Sequence, residues 1–252
     1  MKNRLRDTWN AGKAGINGWL SMPNTISAEI TARQDFDSIT IDLQHGLNDY
    51  QAALGMLQAL EQGTATPMAR VPWLEPGIIM KLLDAGALGI ICPMINTASD
   101  AQALVRYASY APRGARSFGP TRAVMTHGAD YASQANDQVI TLAMIETVEA
   151  LGNVEAIVAT PALSGVYVGP SDLSLSMGCT PKLDQDEPAV VDAITTIVSA
   201  ARKAGLHAGI HCISTDYAKK MIALGFDFVT IGGSDMRIYA AAVAERVAQM
   251  RA

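Results

Sequence analysis

The segment Gly165-Val166-Tyr167-Val168-Gly169-Pro170-Ser171-Asp172 sets a short, continuous apolar run in front of a Gly-Pro step and a carboxylate. A run of this kind predicts a strand covered on both faces, as in a parallel sheet, rather than a half-exposed strand with alternating polarity. Asp172 is of the type that caps a helix beginning at Leu173, so the segment reads as one strand-to-helix unit. The unit recurs. Further candidate strands are Gly15–Leu20, Ser38–Asp42, Thr66–Val71, Gly89–Cys92, Val139–Ile145, His207–Ile210 and Phe226–Ile231. Between them apolar residues fall at helical spacing, as in Val190, Ile194, Ile197 and Ala201, or Tyr239, Val243, Val247 and Met250. Gly63, Gly86, Gly205 and Gly225 close helical patterns shortly before a strand, where a left-handed cap is needed.

Eight such units in 252 residues predict an α/β fold, a single-domain (β/α)8 TIM barrel over residues 1–252. An open doubly wound sheet is the second choice. Two stretches, 111–136 and 171–188, are rich in Gly, Pro and polar residues and read as loops of that domain.

Composition narrows the function classes. With 49% apolar residues the chain has ample material for a core, which excludes disorder. Nineteen basic against twenty-four acidic side chains, with no basic block, argue against nucleic acid as a partner. No apolar run approaches the roughly 18 residues of a membrane span, and the charged start Met1–Asp7 has no secretory pattern behind it. Cys92, Cys179 and Cys212 are odd in number and far apart, which fits reduced thiols and a cytoplasmic location.

Barrel active sites sit at the C-terminal ends of the strands, so polar residues that terminate apolar runs are the candidates. Four runs end this way, at Asp42-Leu-Gln-His45-Gly46, at Arg70, at Glu146 and at Asp172. Glu146 and Asp172 are one strand–helix unit apart and suit a hard divalent cation with open positions. They equally suit a helix cap and a surface ion pair. His45 has the titration range of a general base, with Asp84 as its orienting partner, or is a buried histidine satisfied by a carbonyl. Arg70 must find an anion, which is either a substrate or a structural partner such as Asp42 or Glu75. His207 and His211 share strand parity without an evident third zinc ligand. The stretch Gly114–Arg122 lacks the strand-to-helix context of a nucleotide fingerprint, but offers Arg116 or Arg122 to a substrate anion. Gly232-Gly233 offers amides to a phosphate. None of the seven lysines falls on a candidate strand, which argues against Schiff-base chemistry.

These motifs resemble the HpcH/HpaI family of class II, metal-dependent pyruvate aldolases, among them 4-hydroxy-2-oxoheptanedioate, 2-dehydro-3-deoxyglucarate and 2-keto-3-deoxyrhamnonate aldolases. The resemblance rests on Asp42-x-x-His45-Gly46, Arg70, Ile145-Glu146-Thr147 and Gly169-Pro170-Ser171-Asp172-Leu173-Ser174, and runs over nearly the whole chain. Pro112–Arg116 and the final Gly-Gly-Ser-Asp235 add to it. It implies a (β/α)8 barrel assembled as a homo-oligomer, a trimer or a hexamer with exchanged C-terminal helices.

Carried over, Glu146 and Asp172 are the ligands of a divalent metal ion, Mg²⁺ or Mn²⁺ before Co²⁺ or Zn²⁺. His45 is the base, Asp84 raises its basicity and Arg70 stabilises the enolate. Gly169, Pro170, Ser171, Asp172, Trp19 and Met144 line the substrate. The implied reaction is reversible cleavage of a 4-hydroxy-2-oxo acid to pyruvate, or a close analogue, and an aldehyde. Oxaloacetate decarboxylation is an expected side activity. A citrate-lyase-β-like lyase acting on CoA thioesters and a keto-acid-binding barrel without turnover are the alternatives. The chain departs from the family at Gln44, where Glu is usual, and at Met144, where Gln is usual. The first change removes a negative charge near metal and base, and the second removes a donor to the keto acid.

Overall fold

The computed structural model describes residues Met1–Ala252. Eight parallel strands follow one another around a closed barrel: β1 (Gly15–Leu20), β2 (Ser38–Asp42), β3 (Thr66–Arg70), β4 (Gly89–Cys92), β5 (Ile140–Ile145), β6 (Gly165–Val168), β7 (His207–His211) and β8 (Phe228–Thr230). Closure is direct. Gly15 registers with Phe228 and Asn17 with Thr230, which removes the open-sheet alternative.

The helices are α1 (Arg4–Asn10), α2 (Thr25–Ala32), α3 (Tyr50–Leu60), α4 (Pro76–Asp84), α5 (Ala98–Ala108), α6 (Thr121–His127), α7 (Tyr131–Gln138), α8 (Val148–Gly152), α9 (Val154–Val158), α10 (Pro170–Ser176), α11 (Pro188–Lys203), α12 (Thr215–Leu224) and α13 (Asp235–Arg251). Their starts carry ordinary signals. Asp49, Thr97 and Ser214 cap α3, α5 and α12 through their side chains, and Thr97 with Asp100 forms a reciprocal capping box.

Both stretches expected to be loops contain helix. Residues 111–120 hold the Gly, Pro and Arg cluster, but from Thr121 the Ala- and Gln-rich sequence supports α6 and α7. The segment after β6 enters α10 at once, because Pro170 is pre-set for the first helical position. The last strand is also shorter than its apolar run. The backbone of Asp227 bonds to Ala208 and Gly15 on the flanking chains, but the strand register itself runs only from Phe228 to Thr230.

The core has two compartments. The larger fills the space between barrel and helices, with Ile39, Ile41, Ile90, Val166 and Ile210 pointing outward from the strands. The smaller fills the barrel itself with Met68, Ile91, Leu142, Met144, Tyr167 and Phe228. Helix α1 closes the N-terminal end. Its Leu5 and Trp9 are buried, and Trp9 stacks on His207 at 3.7 Å while donating to the Asp227 carbonyl at 2.9 Å. With that end sealed, the opposite, C-terminal mouth is the open one.

Candidate active site at the C-terminal mouth

A cavity of about 410 Å³ opens at this mouth. Its walls include Asp42, His45, Arg70, Glu146 and Asp172, all reached by the strand-end argument. Trp19, Met144, Gly169 and Ser171 line it as well.

The β2–β3 edge is fixed by register. Asp42 and Arg70 are Cα partners as the last residues of their strands, so their side chains meet without distortion. Arg70 donates from Nε to Asp42 Oδ1 at 2.8 Å and from Nη2 to Oδ2 at 2.6 Å, a fork that leaves Nη1 free. The guanidinium also lies over the Trp19 ring, 4.9 Å from its centroid, and the Trp19 indole donates to Asp42 Oδ2 at 3.3 Å. Burial alone would raise the Asp42 carboxyl, but the Arg70 fork holds it below the ordinary carboxylate range. Arg70 therefore has the structural partner that one reading of the sequence required, and keeps a face for the cavity besides.

Beyond Asp42 the chain turns tightly. Asp42 Oδ1 also accepts the amides of Gln44 and His45, while Asn48 Nδ2 donates to the carbonyls of Asp42 and Leu20. The turn presents His45 outward. Its side chain is exposed and makes no hydrogen bond, so it is not a buried, satisfied histidine.

Opposite lies the carboxylate pair. Glu146 follows β5 directly and is 2% exposed, whereas Asp172 stands exposed in the first turn of α10. Glu146 Oε1 accepts the Met94 amide at 2.7 Å, an arrangement for which Met94 adopts the left-handed region at φ 54°. Glycine at 169 is required here, since a Cβ would overlap Glu146 Oε2. Burial pushes the Glu146 carboxyl up to about 7; the Asp172 charge adds to the shift, and the Met94 amide and Arg70 oppose it. Two carboxylates held together, one of them desolvated, are a donor set that a divalent cation relieves. Gly169 offers no side-chain cap to α10, so the Ser171 and Asp172 amides stay free to face an anion.

Other candidates lie elsewhere. Asp84 ends α4, which runs away from the mouth, and accepts Arg116 Nη2 at 2.6 Å; it does not line the cavity. Arg116 is fully buried in that pair, between Tyr110 and Tyr131, and cannot reach a substrate. Arg122 is tied to Glu61 and the Ala85 carbonyl. His207 pairs with Asp227 at the sealed end while His211 stands at the mouth, about 13 Å along the same strand, so the two share no metal. Gly232 and Gly233 both take positive φ to turn from β8 towards α13, and their amides already donate to the carbonyls of Ile213 and Cys212, so neither is offered to a phosphate.

Three contributors have little or no signature in the sequence. Met94 positions Glu146; its left-handed backbone leaves no trace in residue type. His211 shares strand parity with His207 but stands at the mouth, bonded to the Gly233 carbonyl and the Tyr167 hydroxyl. Arg237 was not weighed at all, although an arginine in the first turn of a helix is disfavoured by the helix dipole and stands out for that reason.

A family model described as HpcH/HpaI aldolase/citrate lyase matches residues 16–241. The chain belongs to this family. It is 44% identical over 250 residues, 99% of both chains, to a protein of Rhizorhabdus wittichii named hydroxypyruvate/pyruvate aldolase. It is 37% identical over 235 residues to the 4-hydroxy-2-oxo-heptane-1,7-dioate aldolase of Salmonella paratyphi C, covering 92% of this chain and 89% of that one. A crystal structure of an HpcH/HpaI aldolase/citrate lyase family protein from Burkholderia cenocepacia superposes with a TM-score of 0.92 at 28% identity, each chain covered completely. Both departures from the family pattern now have a place. Gln44 is half-buried with its Oε1 unpaired, and Met144 packs in the barrel interior under the mouth.

Proposed function

We propose that the protein is a divalent-metal-dependent carbon–carbon lyase, an aldolase that reversibly cleaves a 4-hydroxy-2-oxo acid to pyruvate or a close analogue and an aldehyde. The observation that carries the reading is the free Nη1 edge of Arg70, held by the Asp42 fork in the same cavity as the Glu146–Asp172 pair. The names of the relatives agree, and that of the Rhizorhabdus protein adds hydroxypyruvate as a donor.

Glu146 and Asp172 would hold the cation, Mg²⁺ or Mn²⁺, which when bound supplies Lewis-acid stabilisation of an enolate. The Ser171 and Asp172 amides receive the substrate carboxylate. His45, unbound and exposed at the mouth, takes the C4 hydroxyl proton. As the C3–C4 bond breaks, Arg70 donates from Nη1 to the oxygen on which negative charge develops. Asp42 keeps the guanidinium in place throughout, and Trp19 covers its face. Return of a proton to C3 releases the 2-oxo acid. Enolate formation from oxaloacetate would use the same groups. Asp84 takes no part in this scheme within the chain, because it is committed to Arg116 and lies off the cavity.

The CoA-thioester alternative keeps the carboxylate pair but needs several cations for the CoA phosphates. Arg237 and the Asp42-bound Arg70, the two arginines lining the mouth where no lysine does, do not meet that need, so free oxo acids are preferred. The direct test is pyruvate–aldehyde aldol formation before and after EDTA treatment. Activity should fall to background and return with Mg²⁺ or Mn²⁺. Full activity without metal, or trapping of an imine by borohydride, would remove the proposal.

A homo-oligomer is part of the reading. No residue of α13 is buried, although Ile238, Tyr239, Val243 and Val247 are apolar, and an apolar groove of about 640 Å³ separates α13 from α2. Such a helix needs a second copy to cover it. Val243→Asp combined with Val247→Asp should lower the mass measured by sedimentation velocity; an unchanged mass would exclude α13 from the contact. No helix is long and apolar enough to cross a membrane, and three unpaired thiols support a cytoplasmic location.

A further inference from the structure

The cavity contains two arginines in opposite states. Arg70 is locked to Asp42 and stacked on Trp19. Arg237, in the first turn of α13, lines the same cavity without any ion pair, and its guanidinium makes no hydrogen bond. Only its backbone amide is engaged, by the Ser234 hydroxyl. The acidic side chain nearest in sequence, Asp235, is consumed elsewhere: its carboxylate accepts the Ser21, Met22 and Met236 amides and the Ser27 hydroxyl.

The wall around Arg237 is otherwise closed to charge recognition. His211 donates from Nε2 to the Gly233 carbonyl, which leaves Nδ1 to accept from the Tyr167 hydroxyl at 3.2 Å. Both ring nitrogens are thus used, and the ring stands edge-on to Trp19 at 4.6 Å. Burial, with Arg70 and Arg237 nearby, pushes this imidazole down to about 4, so it stays neutral. The aliphatic stem of Arg237 lies over Gly233, where a Cβ would meet its Cδ at 2.8 Å, so the glycine makes room for the arginine. Around the barrel, the β8–α13 position of Arg237 is two to three strands from the β5 and β6 ends that carry Glu146 and Asp172. A cation there does not serve the carboxylate pair. It also gains nothing from the helix, whose dipole opposes it.

We infer that Arg237 recognises an anionic group, a carboxylate or a phosphate, on the far end of the acceptor aldehyde. The inference rests on the aldolase reading and narrows it: the donor oxo acid sits between Arg70 and the carboxylate pair, and the acceptor extends towards β8. Arg237 is then a specificity residue, taking over the part that the sequence alone offered to Arg116 or Arg122. A guanidinium suits either anion through its planar donor fork.

The test compares acceptors at fixed pyruvate and Mg²⁺: succinic semialdehyde against butanal, and glyceraldehyde 3-phosphate against glyceraldehyde. The wild-type protein should prefer the charged member of at least one pair, and which pair identifies the anion. Arg237→Gln should lower kcat/KM for that acceptor about 10- to 100-fold, chiefly through KM, and change its neutral counterpart far less. Arg237→Lys should restore part of the preference. Equal change for charged and neutral acceptors, or none, overturns the inference while leaving the aldolase intact. Exchange of pyruvate methyl protons into D₂O by the wild-type protein reads enolate chemistry without any acceptor. Its absence, together with no aldol product, would overturn the aldolase reading and this inference with it.

Discussion

Arg70→Ala is expected to abolish enolate formation, lowering pyruvate methyl-proton exchange by about 10³-fold, at the upper end of what removal of one donor to a developing oxyanion costs. The size of the effect follows from geometry. Nη1 is the one edge of the guanidinium not held by Asp42, and no other side chain at the β2–β3 edge carries a positive charge. The same substitution leaves Asp42, 2% exposed, without its counter-ion, which destabilises the fold by roughly 3–5 kcal/mol. The two effects separate with pH. Asp42 has its pKa depressed in the folded state, so the pair stabilises fully above its ordinary value near about 4 and less as the pH falls through the depressed value. The gap in unfolding free energy between wild type and Arg70→Ala should therefore narrow in acid. The loss of exchange, read by NMR at neutral pH on protein shown to be folded, should remain. Arg70→Lys keeps a charge but not the fork, and should fall between the two. Exchange at the wild-type rate in Arg70→Ala would refute the role assigned to Arg70.

What was legible in the sequence follows from local physics. A buried parallel strand must be continuously apolar, so charges ending such runs, at Asp42, Arg70, Glu146 and Asp172, stood out, and all four reach one cavity. Strand ends share a mouth by topology, without any knowledge of side-chain packing. Pairings made by helices and loops were not accessible in that way. Asp84 looked like a partner for His45 because it ended an apolar helix. The helix, however, carries it away from the mouth, to Arg116, 32 residues further along the chain. Arg116 and Arg122 looked like free cations because the lateral contacts that bind them, to Asp84 and to Glu61, leave no local signature. Arg237 lies between the Gly-Gly-Ser-Asp235 motif and the apolar face of Tyr239, Val243 and Val247, and belongs to neither pattern. Its position against the helix dipole was the available signal, and its lack of a partner is visible only in three dimensions.

Glu146→Gln is the sharper probe of the metal reading, because it separates binding from folding. The amide keeps an oxygen to accept the Met94 N–H, so the left-handed backbone at Met94 has no reason to relax. It also removes a desolvated negative charge that stands beside Asp172. In the absence of metal the variant should therefore melt no lower than the wild type. Glu146→Ala, by contrast, orphans the Met94 amide and should lose about 1–3 kcal/mol. With metal present the order reverses. Saturating Mn²⁺ or Mg²⁺, at about 100 times its dissociation constant, should stabilise the wild type by roughly 2.7 kcal/mol and leave Glu146→Gln unmoved. Aldol activity at that metal concentration should fall by more than the roughly 100-fold that altering an outer-shell partner of a metal site costs, since one of the two carboxylates proposed to hold the ion is gone. A Glu146→Gln protein that still gains stability from Mn²⁺ and still turns over would show that the carboxylate pair is not the metal site. The Met94 contact would then be a structural end in itself, and the raised carboxyl of Glu146 only the consequence of burying it.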